Sequence, residues 1–388
     1  MSCPILAGCG DPPLPPFEPP SESQYSTEKL EVASDFPAEL CSGNLALMDA
    51  QLRWLEQEAG RELREPTWLM MYPDDATIDA CLDLESEPVA GCWDAPVVHT
   101  TWGAASHELG HAYAHPVRAR PLNLLQEGLA EATEGTVHGR MRGSREKLGD
   151  YLFEPVGTNT TVYEAAGHFV RWLLEEYGMT TTLEMYARTR PGMSEAELSA
   201  VCEDVLGVAR EGLLAGYVTD AKDYYPGVGP FACGQGAEAL EWHEDGVSWE
   251  GEMSCDDGHS IGRYLANGEV EFWRRWRVEV PVTAMYEVTT SADGGAMTRC
   301  LTTPIDEASL PAMVDGLEHD WWGFGPLYRP PGIGTQVPLF QAPILLEAGV
   351  YDFWIAERTD EHLLGEYPPA SIMYVEAHGA RRFASLRA

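Results

Sequence analysis

The stretch VVHTTWGAASHELGHAYAHPV, Val97 to Val117, decides how this chain is read, because an apolar strand runs into a helix carrying two histidines. On a helix, residues four apart lie one turn above each other, so His107 and His111 point the same way and can share one cation. Glu108 stands beside them, placed to take a proton from water. Imidazole nitrogens are good ligands for zinc, and zinc lowers the pKa of water to about 7. The alternative is an ordinary helix that happens to hold two histidines, and the third ligand decides between them.

Sixteen residues after His111 comes Glu127, within LLQEGLAEATEG, and Glu131 follows one turn later on the same face. Glu127 fits the third ligand of a His₂Glu zinc site, and Glu131 a carboxylate that holds a ligand histidine by its other ring nitrogen. The plainer reading of this pair is a solvated acidic helix face. Glu134 is the poorer choice of ligand. His115 lies in line with His111 but precedes Pro116, so it reads as a histidine at a helix C-terminus, favoured by the dipole there. His138 reads as structural or rim-lining. Ala114 and Val117 stand where a metzincin has glycine and histidine, which excludes that family.

Together, HELGH, QEGLAEATEG and VYEAAGHFVRWLLEEYG resemble the gluzincin metallopeptidases, in particular the peptidase-MA-like group and the related aminopeptidase-N-like enzymes. The resemblance covers roughly residues 31–178 and implies that His107, His111 and Glu127 bind one zinc ion while Glu108 is the general base. Tyr163, opening a run of the form Y-x-x-A-x-x-x-x-R-x-L, is implied to steady the oxyanion. The gap between His111 and Glu127 is shorter than in aminopeptidase-N-like enzymes. The preceding AGCWDAPVV lacks the glutamate that holds a free substrate amine, which favours an endopeptidase over an aminopeptidase. A catalytically silent surface binding protein on the same scaffold is the alternative, although a scaffold has no need of Glu108 or Tyr163. A helical di-iron protein would need two ExxH pairs on bundle helices, and the sequence supplies none suitably placed.

Composition bounds the rest. The 388 residues suit two domains, and 44% are hydrophobic, enough for real cores. No apolar run is long enough to span a bilayer. With 25 basic against 62 acidic residues the net charge is −37, a surface that repels phosphate backbones and argues against a nucleic-acid partner. Solubility is the simplest use of that charge. Leu6-Ala7-Gly8-Cys9 resembles a bacterial lipobox cut short, which makes Cys9 a candidate lipid anchor, and the Pro-rich run behind it an extended spacer. A plain disordered tail is the alternative. Nine cysteines without zinc-ribbon spacing favour disulfides in an oxidising, extracytoplasmic compartment. Cys81 and Cys92 are the best single pair, and setting aside Cys3 and Cys9 leaves an odd number.

The expected architecture is α+β. Residues 1–24 form the truncated signal and linker, 25–228 a gluzincin-like metallopeptidase domain, and 229–388 an all-β sandwich. EKLEVASDF, TWLMMY and APVVHTTW read as strands, and Asn44 to Ala59 as a helix closed by Gly60. From Ala104 to about Val218 the pattern is helical, with a capping box at Ser194 and Glu197, and one helix running from behind Thr161 to Gly178. YYPGVGP, Tyr224 to Pro230, is the candidate linker. Beyond it FWRRWRVEVPV, AMYEVTTSA, APILLEAGVYDFWIAER and SIMYVEA read as short strands, loosely similar to the jelly-roll domains that follow secreted bacterial peptidases. The aromatic run DWWGFGPLYRPPG reads as loop packing, or else as a carbohydrate or protein contact. The implied partner is a peptide or protein substrate.

Overall fold

In the computed structural model, the residues described are 22–34, 40–72, 78, 81, 91–101, 105–134, 145–153, 160–233, 235–243, 246–251, 256–264, 270–290, 294–300, 303, 304, 306, 337–338, 343–359 and 382–387. Cys9 with its Pro-rich tail, His138, DWWGFGPLYRPPG and SIMYVEA lie outside them.

The chain is a mixed α+β protein. Among the described residues its first sheet has five strands: β1 (Tyr25–Ser26), β2 (Leu30–Ser34), β3 (Thr67–Met71), β4 (Gly91–Asp94) and β5 (Val97–Thr100), in the order β1-β2-β3-β5-β4. β2, β3 and β5 run parallel, and β1 and β4 are antiparallel edges. Leu30, Val32, Leu69, Met71 and Val98 of the central strands are buried, as expected for strands covered on a face by helices. Helix α1 (Ser42–Ala59) supplies part of that cover through Met48, Leu52 and Leu55, and Gly60 closes it in the left-handed conformation, φ 62°.

Among the described residues six more helices follow: α2 (Ser106–Ala114), α3 (Asn123–Thr133), the short α4 (Leu148–Tyr151), α5 (Thr160–Arg188), α6 (Glu195–Leu206) and α7 (Arg210–Asp220). Two glycines set the spacing of the central three. A Cβ at Gly110 of α2 would lie 2.8 Å from Ala130 Cα, and one at Gly128 of α3 would lie 2.6 Å from Ala166 O and Val170 Cγ2 of α5. Only hydrogen fits in either gap, so the helices pack backbone to backbone. The expected end at Gly178 is a break rather than a stop: the residue leaves helical geometry (φ 78°, ψ 164°) and the chain resumes as a helix to Arg188. The capping box at Ser194 and Glu197 is formed.

Beyond residue 237 the described elements are all strands. β6 (Glu238–Leu240), β7 (Val247–Gly251), β8 (Ser260–Tyr264), β9 (Val270–Val280), β10 (Ala284–Thr290), β11 (Gly294–Arg299), β12 (Val337–Pro338), β13 (Pro343–Leu346), β14 (Gly349–Thr359) and β15 (Arg382–Arg387) make two sheets. One has the order β13-β10-β15-β7. The other has the order β12-β11-β14-β9-β6, with β8 also on β9. Fully buried Trp276 of β9 meets Trp249 of β7 at 4.8 Å between ring centroids and Phe353 of β14 at 5.8 Å, so aromatic packing joins the two sheets.

The segment expected to be a linker is packed down. Tyr224 and Tyr225 are buried, and Arg171 of α5 donates to Pro226 O at 3.0 Å. A second tie lies at the start of α1. Asn44 Nδ2 donates to Gly262 O and Gly262 N–H donates back to Asn44 Oδ1, each at 2.8 Å, so a side-chain amide pairs with β8 as a strand would. The disulfides Cys81–Cys92, the expected pair, and Cys233–Cys300 are both present. Cys41 is disulfide-bonded as well, and Cys202 is a buried free thiol. Among the described residues no helix is long and apolar enough to cross a membrane.

One buried histidine makes the fold sensitive to acid. His168 of α5 lies 2.8 Å from Lys222 O through Nε2 and 2.8 Å from Tyr217 Oη through Nδ1. A carbonyl can only accept, so Nε2–H donates to it, and in the neutral ring Nδ1 accepts from the phenol. Burial pushes its pKa down to about 4. Below about pH 6.5 the unfolded chain takes up a proton that the folded one refuses, so stability is full above that pH and falls as the pH drops towards 4. Between pH 7.5 and 5, wild type should lose about 2 kcal/mol more unfolding free energy than His168→Leu, measured by urea titration. Equal losses would show that His168 is not the titrating group.

Candidate metal centre

His107 and His111 sit one turn apart on α2, and Glu127 lies on α3 where Gly110 lets the two helices touch. The Nε2 atoms of the two histidines are 3.1 Å apart, and Glu127 Oε2 lies 3.4 Å from His107 Nε2 and 3.3 Å from His111 Nε2. Three donors on a zinc ion, bonded at about 2.0–2.2 Å with tetrahedral angles, stand roughly 3.3–3.4 Å from one another. Two neutral imidazoles and a carboxylate are also the donor types zinc prefers, so these residues fit that ion.

The surroundings fix how each group is charged. His107 Nδ1–H donates to Glu134 Oε2 at 3.1 Å, with Glu131 Oε1 3.4 Å away, which leaves Nε2 as the ring nitrogen facing His111 and Glu127. Burial works to lower the pKa of His107, but its bonds to Glu127 and Glu134 overcome this and raise it well above the usual histidine value. Burial would raise Glu127, yet His111 and His107 together hold its carboxyl well below the usual range. Glu131 goes the other way: burial, then the neighbouring charge of Glu134, pushes it well up. Buried His111 Nδ1 has no hydrogen-bond partner among the described residues.

Glu108 lies on the neighbouring face of α2 against β4. A Cβ at Gly91 would come within 3.3 Å of Glu108 Cγ and Oε1, so glycine leaves room for the carboxylate. Burial raises the Glu108 pKa, with His107 and His111 opposing. Tyr163, in the first turns of α5, has its ring 6.2 Å from the His107 ring. The structure therefore brings His107, Glu108, His111, Glu127, Glu131 and Tyr163 to one place. His115 is elsewhere: its ring packs edge-on against Trp93 at 5.6 Å.

Glu134 is the residue that sequence reasoning undervalued. Glu127, Glu131 and Glu134 follow the i, i+4, i+7 spacing of one helix stripe, a signal that places all three on the side facing α2. Beside the start of this stripe is a cleft of about 410 Å³ lined by Leu122, Asn123, Leu152, Phe153 and Met193. Asn123 is one turn before Glu127 on the same face.

No protein-family model matches the chain, and no curated protein matches it.

Protein purified without added metal should contain one zinc per chain by elemental analysis. His111→Ala and Glu127→Ala should each remove it, and full zinc occupancy in Glu127→Ala would sink the assignment of the third ligand.

Proposed function

We propose that this protein is a zinc metallopeptidase of the gluzincin type, an endopeptidase rather than an aminopeptidase, acting outside the cytoplasm. The observation that carries the reading is the convergence of His107, His111 and Glu127 within 3.4 Å beside Glu108, on two helices in contact. In this reading the five-stranded sheet and α1 to α7 form the gluzincin-like domain, and the two later sheets face each other as a jelly-roll-like sandwich. The disulfides suit an oxidising compartment. Cys9 would tether the chain to a membrane by lipid, or the protein is secreted.

Zinc held by the three ligands would supply a Lewis acid that polarises the scissile carbonyl and brings the pKa of water near 7. The remaining work falls to the chain. Glu108 takes the proton of the attacking water and passes it to the departing amine, a role its burial-raised pKa favours. Glu134, aided by Glu131, holds His107 in the tautomer a ligand needs. Tyr163 donates its hydroxyl to the oxygen on which charge develops. β4 is the outermost strand of its sheet among the described residues and lies against Glu108, so an extended peptide can pair along it. The cleft at the start of α3, whose lining mixes Leu122, Leu152 and Met193 with Asn123, Ser194 and Glu195, would receive a substrate side chain.

Glu108→Gln keeps size and shape but cannot accept a proton. It should retain zinc and lose at least about a hundredfold in peptide turnover. Zinc binding with wild-type turnover in that variant would refute the mechanism, and zinc binding in a wild type that cleaves no peptide library would favour the silent scaffold. Tyr163→Phe removes only a hydroxyl. Turnover should fall at least about tenfold, with folding, zinc content and KM nearly unchanged. Unchanged turnover would return Tyr163 to helix packing and leave the oxyanion donor to another residue.

A further inference from the structure

We propose that Gln51 is a positioning residue for the metal centre, a proposal that rests on the zinc reading above. Gln51 is fully buried on α1, on the same side as Met48, Leu52 and Leu55. Its Nε2 donates to Ser106 O at 2.8 Å and to Thr133 O at 3.0 Å. Both acceptors are carbonyls, so the amide has only one workable orientation. Ser106 is the residue before His107 and opens α2; Thr133 is the residue before Glu134 and ends α3. The His107 Nδ1–H bond to Glu134 crosses between the same two helices. One carboxamide therefore clamps the backbone on both sides of the contact that orients a zinc ligand.

Core packing alone does not call for glutamine here. Gln51 Oε1 is buried without a hydrogen-bond partner among the described residues, a desolvation penalty that methionine, of similar volume, would avoid. What methionine cannot do is donate two hydrogen bonds to two helix ends. The amide thus gives up packing energy for position, and its loss should be felt at the metal out of proportion to the stability it costs.

The test measures zinc affinity by chelator competition, and urea unfolding, on the full chain. Gln51→Met leaves two buried carbonyls short of a donor and should unfold at a somewhat lower urea midpoint, no lower than Leu52→Ala, while binding zinc about tenfold more weakly, the low end of what losing a ligand histidine's own partner costs. Leu52→Ala, a destabilising change one residue away, should keep zinc affinity within about twofold of wild type. Glu134→Ala should weaken zinc similarly, and the double variant Gln51→Met/Glu134→Ala little more than either single change, because both act through His107. Unchanged zinc affinity in Gln51→Met, or an equal loss in Leu52→Ala, would overturn the proposal. Should Gln51→Met fail to fold, Gln51→Asn, whose amide is one methylene too short to reach both carbonyls, must still bind zinc at least about threefold more weakly. Wild-type affinity there would overturn it as well. Wild type that binds no zinc would instead sink the metal reading itself.

Discussion

The contact between α2 and α3 at Gly110 is the constraint on which the site depends. Side chains at a helix contact normally hold axes about 8–10 Å apart, and imidazoles reaching across a wider gap would not meet a glutamate end-on. With no Cβ at position 110, the backbone of α2 settles on Ala130, and the three donor atoms fall within 3.4 Å of one another. Gly128 does the same for α3 against α5, which brings Tyr163 alongside His107. Both glycines lie inside the motifs that carry the proposed ligands. Their role is spacing, and the chemistry of their neighbours follows from it.

That closeness creates an electrostatic problem that the site solves by pairing. Three glutamates share one stripe of α3, and burying several carboxylates side by side is costly. Their pKa shifts diverge according to what each faces. Burial favours the neutral form of both, but Glu127 faces two imidazoles and is held anionic, whereas Glu131, with the charge of Glu134 added to its burial, is pushed towards its protonated form. A metal ligand must be deprotonated, whereas a residue behind the ligand need only complete a hydrogen-bond network. The division of labour along α3 is thus set by the position of the histidines, not by any difference between the glutamates.

Much of this was readable in the sequence because helix periodicity is strict. The four-residue spacings at His107 and His111 and at Glu127 and Glu131 place side chains on faces without further information. Local chemistry also announced the Ser194 cap, the end of α1 at Gly60 and the Cys81–Cys92 pair. What periodicity cannot give is distance across a contact. Glu131 and Glu134 are equally eligible on a helical wheel, and only the tertiary approach of α3 to α2 puts Glu134 nearer to His107 Nδ1. Gln51 left a fainter trace, one of two buried amides on a face otherwise carried by residues such as Met48, Leu52 and Leu55, and its two partners are backbone atoms with no signature in the sequence. YYPGVGP has a linker's composition, yet burial of Tyr224 and Tyr225 and the bond from Arg171 fasten it.

Helix α1 connects these observations. Asn44 and Gln51 are seven residues apart, two turns along one face, about 10 Å at the rise of an α-helix. Asn44 completes the hydrogen bonding of β8 in the second half of the chain, and Gln51 clamps the ends of α2 and α3. Each uses a side-chain amide against main-chain groups, so each fixes backbone rather than merely filling space. A rigid helix with one such tie in its first turn and another at its middle transmits position from one to the other. The C-terminal sheets are therefore seated on the same element that sets the geometry of the histidines, and the packed YYPGVGP segment gives the two halves a second attachment. This argues that the β-rich half is part of the framework of the site, not a passenger on a flexible tether.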